Sequence, residues 1–154
     1  MERINKLKKA IHKTLLDKSS ESMTVSEDNP IKVLVVDDDE LTRKLIVRLL
    51  ERNTKAQVTS LSNGIEGLEY IKSHYPDLVI LDLMLPGMTG FEILQKMREE
   101  ELLEKHTKVI LVTAKSRPED VERGFELSAD EFISKPFQPQ EFIVRIKKVL
   151  NKTD

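Results

Sequence analysis

From residue 31 onward, short apolar runs alternate with longer amphipathic segments. "IKVLVV" (31–36), "DLVIL" (77–81) and "KVILVT" (108–113) are rich in β-branched residues and almost continuously apolar, the pattern of strands covered on both faces. "AQVTSL" (56–61) is more polar and reads as an edge strand, and "EFIS" (131–134) as a short fifth strand. Between them, "ELTRKLIVRLLERN" (40–53) repeats Leu41, Leu45, Ile46, Leu49 and Leu50 along one helical face. Asn63 with Glu66, Thr89 with Glu92 and Ser116 with Glu119 have capping-box spacing. They open helices expected to run to about His74, Glu104 and Leu127. Pro139 suits the first turn of a closing helix over 139–151.

Five strands alternating with five helices imply parallel pairing, because each crossover carries a helix. The pattern therefore predicts an α/β, flavodoxin-like doubly wound sheet in the order 2-1-3-4-5, with right-handed crossovers. The expected divisions are an amphipathic basic helix over 1–18, a linker over 19–30, the compact domain over 31–151 and a tail at 152–154. The basic segment repeats Ile4, Leu7, Ile11 and Leu15 at helical spacing. It has three readings: a solvated helix too short to be stable alone, a packing element on its own domain or in a homodimer, or an anchor for an anionic membrane or acidic partner.

Bulk composition narrows the class. At 154 residues, 39% hydrophobic and 34% charged, the chain suits one well-cored soluble domain. A net charge of −2 gives no electrostatic case for direct nucleic-acid binding. The absence of cysteine excludes disulfides and thiolate metal sites. No apolar run approaches the ~20 residues of a membrane span, and the start lacks a secretory apolar core. A cytoplasmic location is the expectation.

The candidate chemistry is positional. Polar residues stand just past four strand ends: Asp37, Asp38 and Asp39 after the first, Asp82 after the third, Thr113 at the fourth, Lys135 and Pro136 after the fifth. In an open α/β sheet these ends form the ligand edge. Clustered carboxylates repel one another unless a hard cation joins them, and Mg²⁺ takes such oxygen ligands. A lysine and a hydroxyl beside one carboxylate are suited to phosphoryl oxygens, so Asp82 becomes a candidate nucleophile. Each feature alone has a plain reading as a helix cap, a strand end or a turn. The ordered set is what points to a site.

Residues 31 to about 151, through "VLVVDDDELTR", "PDLVILDLMLPGMTGFE", "VILVTAK" and "ADEFISKPF", resemble the receiver domain of bacterial two-component response regulators. The resemblance implies that Asp82 is the phospho-acceptor and that Asp37 and Asp38, with Asp82 and the backbone carbonyl of Met84, hold Mg²⁺. It implies that Thr113 is the switch hydroxyl, Lys135 the lysine that pairs with the phosphoryl group, and Phe132 the aromatic switch residue. Phe132 also reads as a permanent core aromatic. The Lys135–Pro136 bond is expected to be cis by the same resemblance. The implied partners are a sensor histidine kinase or phosphotransfer protein and a downstream protein that docks on the surface of the fourth helix, fifth strand and fifth helix. Ser128 departs from the glycine usual at its position, Thr89 stands where aspartate is common, and Met84 and Lys115 occupy positions that tune hydrolysis. Only "KTD" follows the last helix, so the expectation is a single-domain regulator with an N-terminal extension. Two other classes fit part of the pattern. A haloacid-dehalogenase-like phosphatase would use Asp37 as nucleophile, but Leu41 breaks its D-x-D-x-T/V pattern. A phosphorylation-independent binding module would not need the full set of acids, Thr113 and Lys135.

Overall fold

The computed structural model describes residues 3–8, 29–103 and 107–151. Along the compact part the order is β1 (Lys32–Val36), α1 (Glu40–Asn53), β2 (Gln57–Leu61), α2 (Gly64–His74), β3 (Leu78–Leu81), α3 (Gly90–Glu99), β4 (Lys108–Thr113), α4 (Pro118–Glu126), β5 (Glu131–Ser134) and α5 (Pro139–Leu150). All pairings are parallel and the sheet order is β2-β1-β3-β4-β5, as the alternation predicts.

The period of two along each strand divides the core into two layers. Leu34, Val36, Val79, Leu81, Val109 and Leu111 face one side, where Leu68, Ile71, Leu94 and Met97 of α2 and α3 cover them. Val33, Val35, Leu78, Ile80, Ile110 and Val112 face the other, against Ile46 and Leu50 of α1 and Phe142 and Ile146 of α5. Each such side chain, fully buried, contributes about 1.5–3 kcal/mol relative to exposure. The apolar β1, β3 and β4 are interior, and the polar β2 lies at the edge.

Register positions the functional edge. Val36 pairs with Leu81, so Asp37 and Asp82 each follow a matched position, and the Asp82 N–H donates to the Val36 carbonyl at 3.0 Å. Thr113 pairs with Ser134, and the Lys135 N–H donates to the Thr113 carbonyl at 2.9 Å. Four strand ends therefore finish at one edge of the sheet.

Three local expectations need correction. The helix expected to reach about Glu104 ends at Glu99, because Glu101 turns left-handed at φ +58°. There the Leu102 N–H reaches the Met97 carbonyl at 2.8 Å and the Glu101 N–H that of Arg98 at 3.2 Å, the paired bonds of a Schellman stop. The cap expected at Ser116 lies one residue later. Pro118 takes the first helical position, and the Arg117 N–H donates to Asp120 Oδ2 at 3.2 Å. Leu41 and Leu45, placed by periodicity on the buried face of α1, are 81% and 41% exposed. Ile46 and Leu50 carry the burial of α1.

The Thr89–Glu92 capping box is present. Asn63 Oδ1 accepts from the Ile65 and Glu66 N–H groups, its half of the expected box. The Lys135–Pro136 bond is cis. Residues 3–8 are helical, with Ile4 buried and Arg3 reaching the Tyr75 carbonyl and, at 3.6 Å, the buried Asp77 carboxylate. The rest of the expected basic helix, including Ile11 and Leu15, falls outside the described residues, as do 19–28 of the linker and the tail.

Ser128 follows α4 at φ +74°, in a second Schellman stop closed by Ser128 N–H to Phe125 O (2.9 Å) and Ala129 N–H to Gly124 O (3.0 Å). A Cβ there costs about 1 kcal/mol that glycine avoids. Ser128→Gly is therefore expected to raise the unfolding free energy by about 1 kcal/mol, and the denaturant midpoint with it. Guanidinium unfolding of the two proteins checks it, and a lower midpoint for the glycine form would remove the strain argument.

Candidate functional site

The β1–α1 loop supplies Asp37 and Asp38, and the segment after β3 supplies Asp82. Carboxylate oxygens of these three residues lie within 4.8 Å of one another. Asp37 and Asp82 are buried at 2% and 5% exposure, whereas Asp38 is exposed. Lys135, just past β5, reaches between the two buried acids. Its Nζ donates to Asp37 Oδ2 at 2.7 Å and to Asp82 Oδ2 at 2.8 Å. These contacts join positions 98 and 53 residues apart in the chain.

The remaining acid oxygens are tied to the loops. Asp37 Oδ1 accepts the Asp39 N–H at 2.9 Å, and Asp82 Oδ1 accepts the Met84 N–H at 2.9 Å. Asp39 takes the N-cap of α1, accepting from the Thr42 N–H and hydroxyl. That division of labour leaves Asp37 and Asp38 to the cleft. Arg43, which the periodicity of α1 does not single out, donates from Nη1 to the Asp37 carbonyl at 2.8 Å and fastens the loop to the helix.

Burial governs the electrostatics of Asp37. Desolvation lifts its pKa above the ordinary carboxylate value, although the Lys135 and Asp39 hydrogen bonds pull the other way and Asp82 adds repulsion. Burial also opposes the charge on Lys135, but its hydrogen bonds to Asp37 and Asp82 prevail and hold its pKa above the usual lysine range. One ammonium therefore stands against three carboxylates. The donor set is entirely oxygen, clustered and open to solvent on the Asp38 side, which fits a hard divalent cation.

Thr113 is fully buried at the end of β4, and its Oγ1 accepts the Lys115 N–H at 3.1 Å. Its main-chain bond to Lys135 sets it beside the lysine. Met84 is 59% exposed at the mouth. Phe132 lies in the core among Leu111 and Ala129, at 6% exposure, so its side chain points inward rather than to the site.

Known proteins resemble this chain in sequence and in fold. The response regulator receiver domain family matches residues 33–147. The transcriptional regulatory protein ResD of Bacillus subtilis is 37% identical over 129 residues, which are 83% of this chain and 51% of ResD. SrrA of Staphylococcus aureus is 38% identical over 122 residues, 79% of this chain and 48% of SrrA. The chain thus spans about half the length of these curated relatives. The BeF3-activated receiver domain of DrrB, a Thermotoga maritima regulator, superposes with a TM-score of 0.71 at 33% identity, covering 80% of this chain and all of that domain. Among the described residues, no helix is long and apolar enough to cross a membrane. With the family match spanning most of the chain and the acids and lysine assembled at one sheet edge, this protein belongs to the response regulator receiver domain family.

Proposed function

We propose that the chain is a phosphorylation-driven switch in which Asp82 accepts a phosphoryl group from the phosphohistidine of a sensor kinase or phosphotransfer protein. The observation that carries this reading is the Lys135 ammonium held at 2.7 and 2.8 Å between Asp37 and Asp82. A lone pair of an Asp82 carboxylate oxygen attacks phosphorus. The bond from phosphorus to the donor nitrogen breaks, and its electron pair leaves with the histidine. Lys135 is placed to neutralise charge on the transferring group without moving far. Hydrolysis runs by attack of a water oxygen on phosphorus and returns Asp82 as a free carboxylate.

Asp37, Asp38, Asp82 and the Met84 carbonyl are the residues that would hold Mg²⁺, the cofactor of this reading. When bound, the ion offsets negative charge on the acids and the phosphoryl oxygens. Thr113 would exchange its bond to the Lys115 N–H for one to the phosphoryl group. Phe132, packed against α4 and β4, would register that shift and pass it to the surface of α4, β5 and α5. Phosphorylation signals only if the modified site binds its own phosphoryl group better in the shifted arrangement. A downstream protein, or a second copy of the chain, would read that surface.

Incubation with acetyl phosphate and Mg²⁺, followed by intact-mass measurement, tests the reading. Wild type is expected to gain one phosphoryl group, and Asp82→Asn none. Addition of EDTA is expected to suppress the gain. Equal phosphorylation of Asp82→Asn would remove Asp82 as acceptor, and an undiminished rate in EDTA would remove the divalent ion from the account.

A further inference from the structure

An open cleft of about 990 Å³ runs beside the acid site, between the loop after β3 and the start of α4. Its floor is apolar: Leu83, Leu85 and Phe91 are each buried to 9% exposure or less. One wall is cationic. The Arg123 guanidinium carbon lies 4.4 Å from the centre of the Phe91 ring, and Lys115 Nζ lies 5.8 Å from the same centre. Arg117 stands on the same wall but is taken by Glu119 and Asp120 at 3.4 and 3.3 Å. Among the described residues, neither Lys115 nor Arg123 makes a salt bridge, and both are exposed. Contact with the same ring holds both cations beside the apolar floor, and their exposure leaves N–H donors for an incoming group.

We infer that this cleft docks an acidic peptide segment of a protein partner, one in which Asp or Glu stands next to a large apolar residue. The apolar residue would rest on Leu83, Leu85 and Phe91, and the carboxylate would pair with Arg123 and Lys115. The size and openness of the cleft suit a peptide running across the surface rather than an enclosed small molecule. Two neighbouring unpaired cations supply the charge complementarity that selects it. This surface uses the side of α4 that carries Arg123 against Phe91 of α3, and not β5 or α5, and only its coupling to phosphorylation rests on the function proposed above. The cleft reaches Asp38 and Met84, so an occupant would touch both sides of the phosphorylation site.

Selection of a random-peptide phage library on the whole, unphosphorylated protein tests the docking. The selected peptides are expected to carry acidic residues beside Leu or Phe, and to shift the backbone amide resonances of residues 83–91 and 114–123. Arg123→Glu is expected to weaken them about tenfold, and a Glu→Lys change in the peptide to restore part of the loss. Acetyl-phosphate labelling of Arg123→Glu is expected to match wild type, which separates this proposal from the phosphoryl-transfer reading. Failure to select any peptide, peptides lacking acidic residues, shifts on another face, or indifference to Arg123→Glu would each overturn the docking site.

Discussion

Lys135→Ala is expected to lose about 3 kcal/mol or more of stability in cation-free buffer, and to accept a phosphoryl group about a hundredfold more slowly. Both effects come from one geometry. Asp37 and Asp82 are nearly inaccessible to water, and the ammonium that compensates them makes hydrogen bonds of 2.7 and 2.8 Å. Alanine leaves two close carboxylates buried with no cation of their own, and that residue is costly because the acids remain. Added Mg²⁺ is expected to return part of the lost stability, since the stripped acids then gain more from a divalent ion than they do in wild type. Urea unfolding with EDTA and with Mg²⁺ measures the first effect, and single-exponential labelling by acetyl phosphate the second. Unchanged stability in EDTA would mean that the lysine does not hold the acids together.

Gly90→Ala is expected to destabilise the domain by about 3 kcal/mol, although it adds one methyl group at a helix terminus. An ideal Cβ at Gly90 would stand 2.5 Å from the Asp82 carbonyl oxygen and 2.7 Å from Leu83 Cα. Both are backbone atoms of the segment that carries the acceptor, and the Gly90 N–H already donates to the Leu83 carbonyl at 3.0 Å. The helix start and the acceptor segment can separate only by moving Asp82. Phosphoryl acceptance is therefore expected to fall with stability, because a shift near 1 Å at a reacting group costs about a hundredfold. Gly67→Ala is the contrast. Its Cβ would meet the Val36 side chain, with a nearest carbon at 3.1 Å, so a smaller loss of midpoint is expected. Equal midpoints for wild type and Gly90→Ala at the same m-value would contradict the close approach.

The sheet was legible because its signals are local and redundant. The apolar runs at 31–36, 77–81 and 108–113 can only be covered on both faces, and the polar run at 56–61 can only lie at an edge. Asp37, Asp82, Thr113 and Lys135 could be read as one group because strand ends share an edge in this topology, so their meeting follows from strand order. What the sequence hid depends on tertiary context. Glu101 turns left-handed without a glycine to announce it, so the end of α3 was expected too late. Leu41 fits the apolar face of α1 by periodicity, yet among the described residues it stands 81% exposed, because periodicity marks a face without showing how far along it the packing reaches. Ser116 has the spacing of a capping residue, yet Pro118 with Asp120 makes the better helix start one residue later. The stacking of Lys115 and Arg123 on Phe91 joins a loop and two helices and has no signature along the chain.

The central claim is that the phosphoryl group resides on Asp82, and its position can be read directly. Wild type labelled by a phosphodonor in Mg²⁺ is quenched, reduced with borohydride to trap the acyl phosphate, digested and sequenced by tandem mass spectrometry. The modification is expected at Asp82 alone. Its appearance at Asp37, the nucleophile a haloacid-dehalogenase-like phosphatase would use, or its absence from every aspartate would contradict the account.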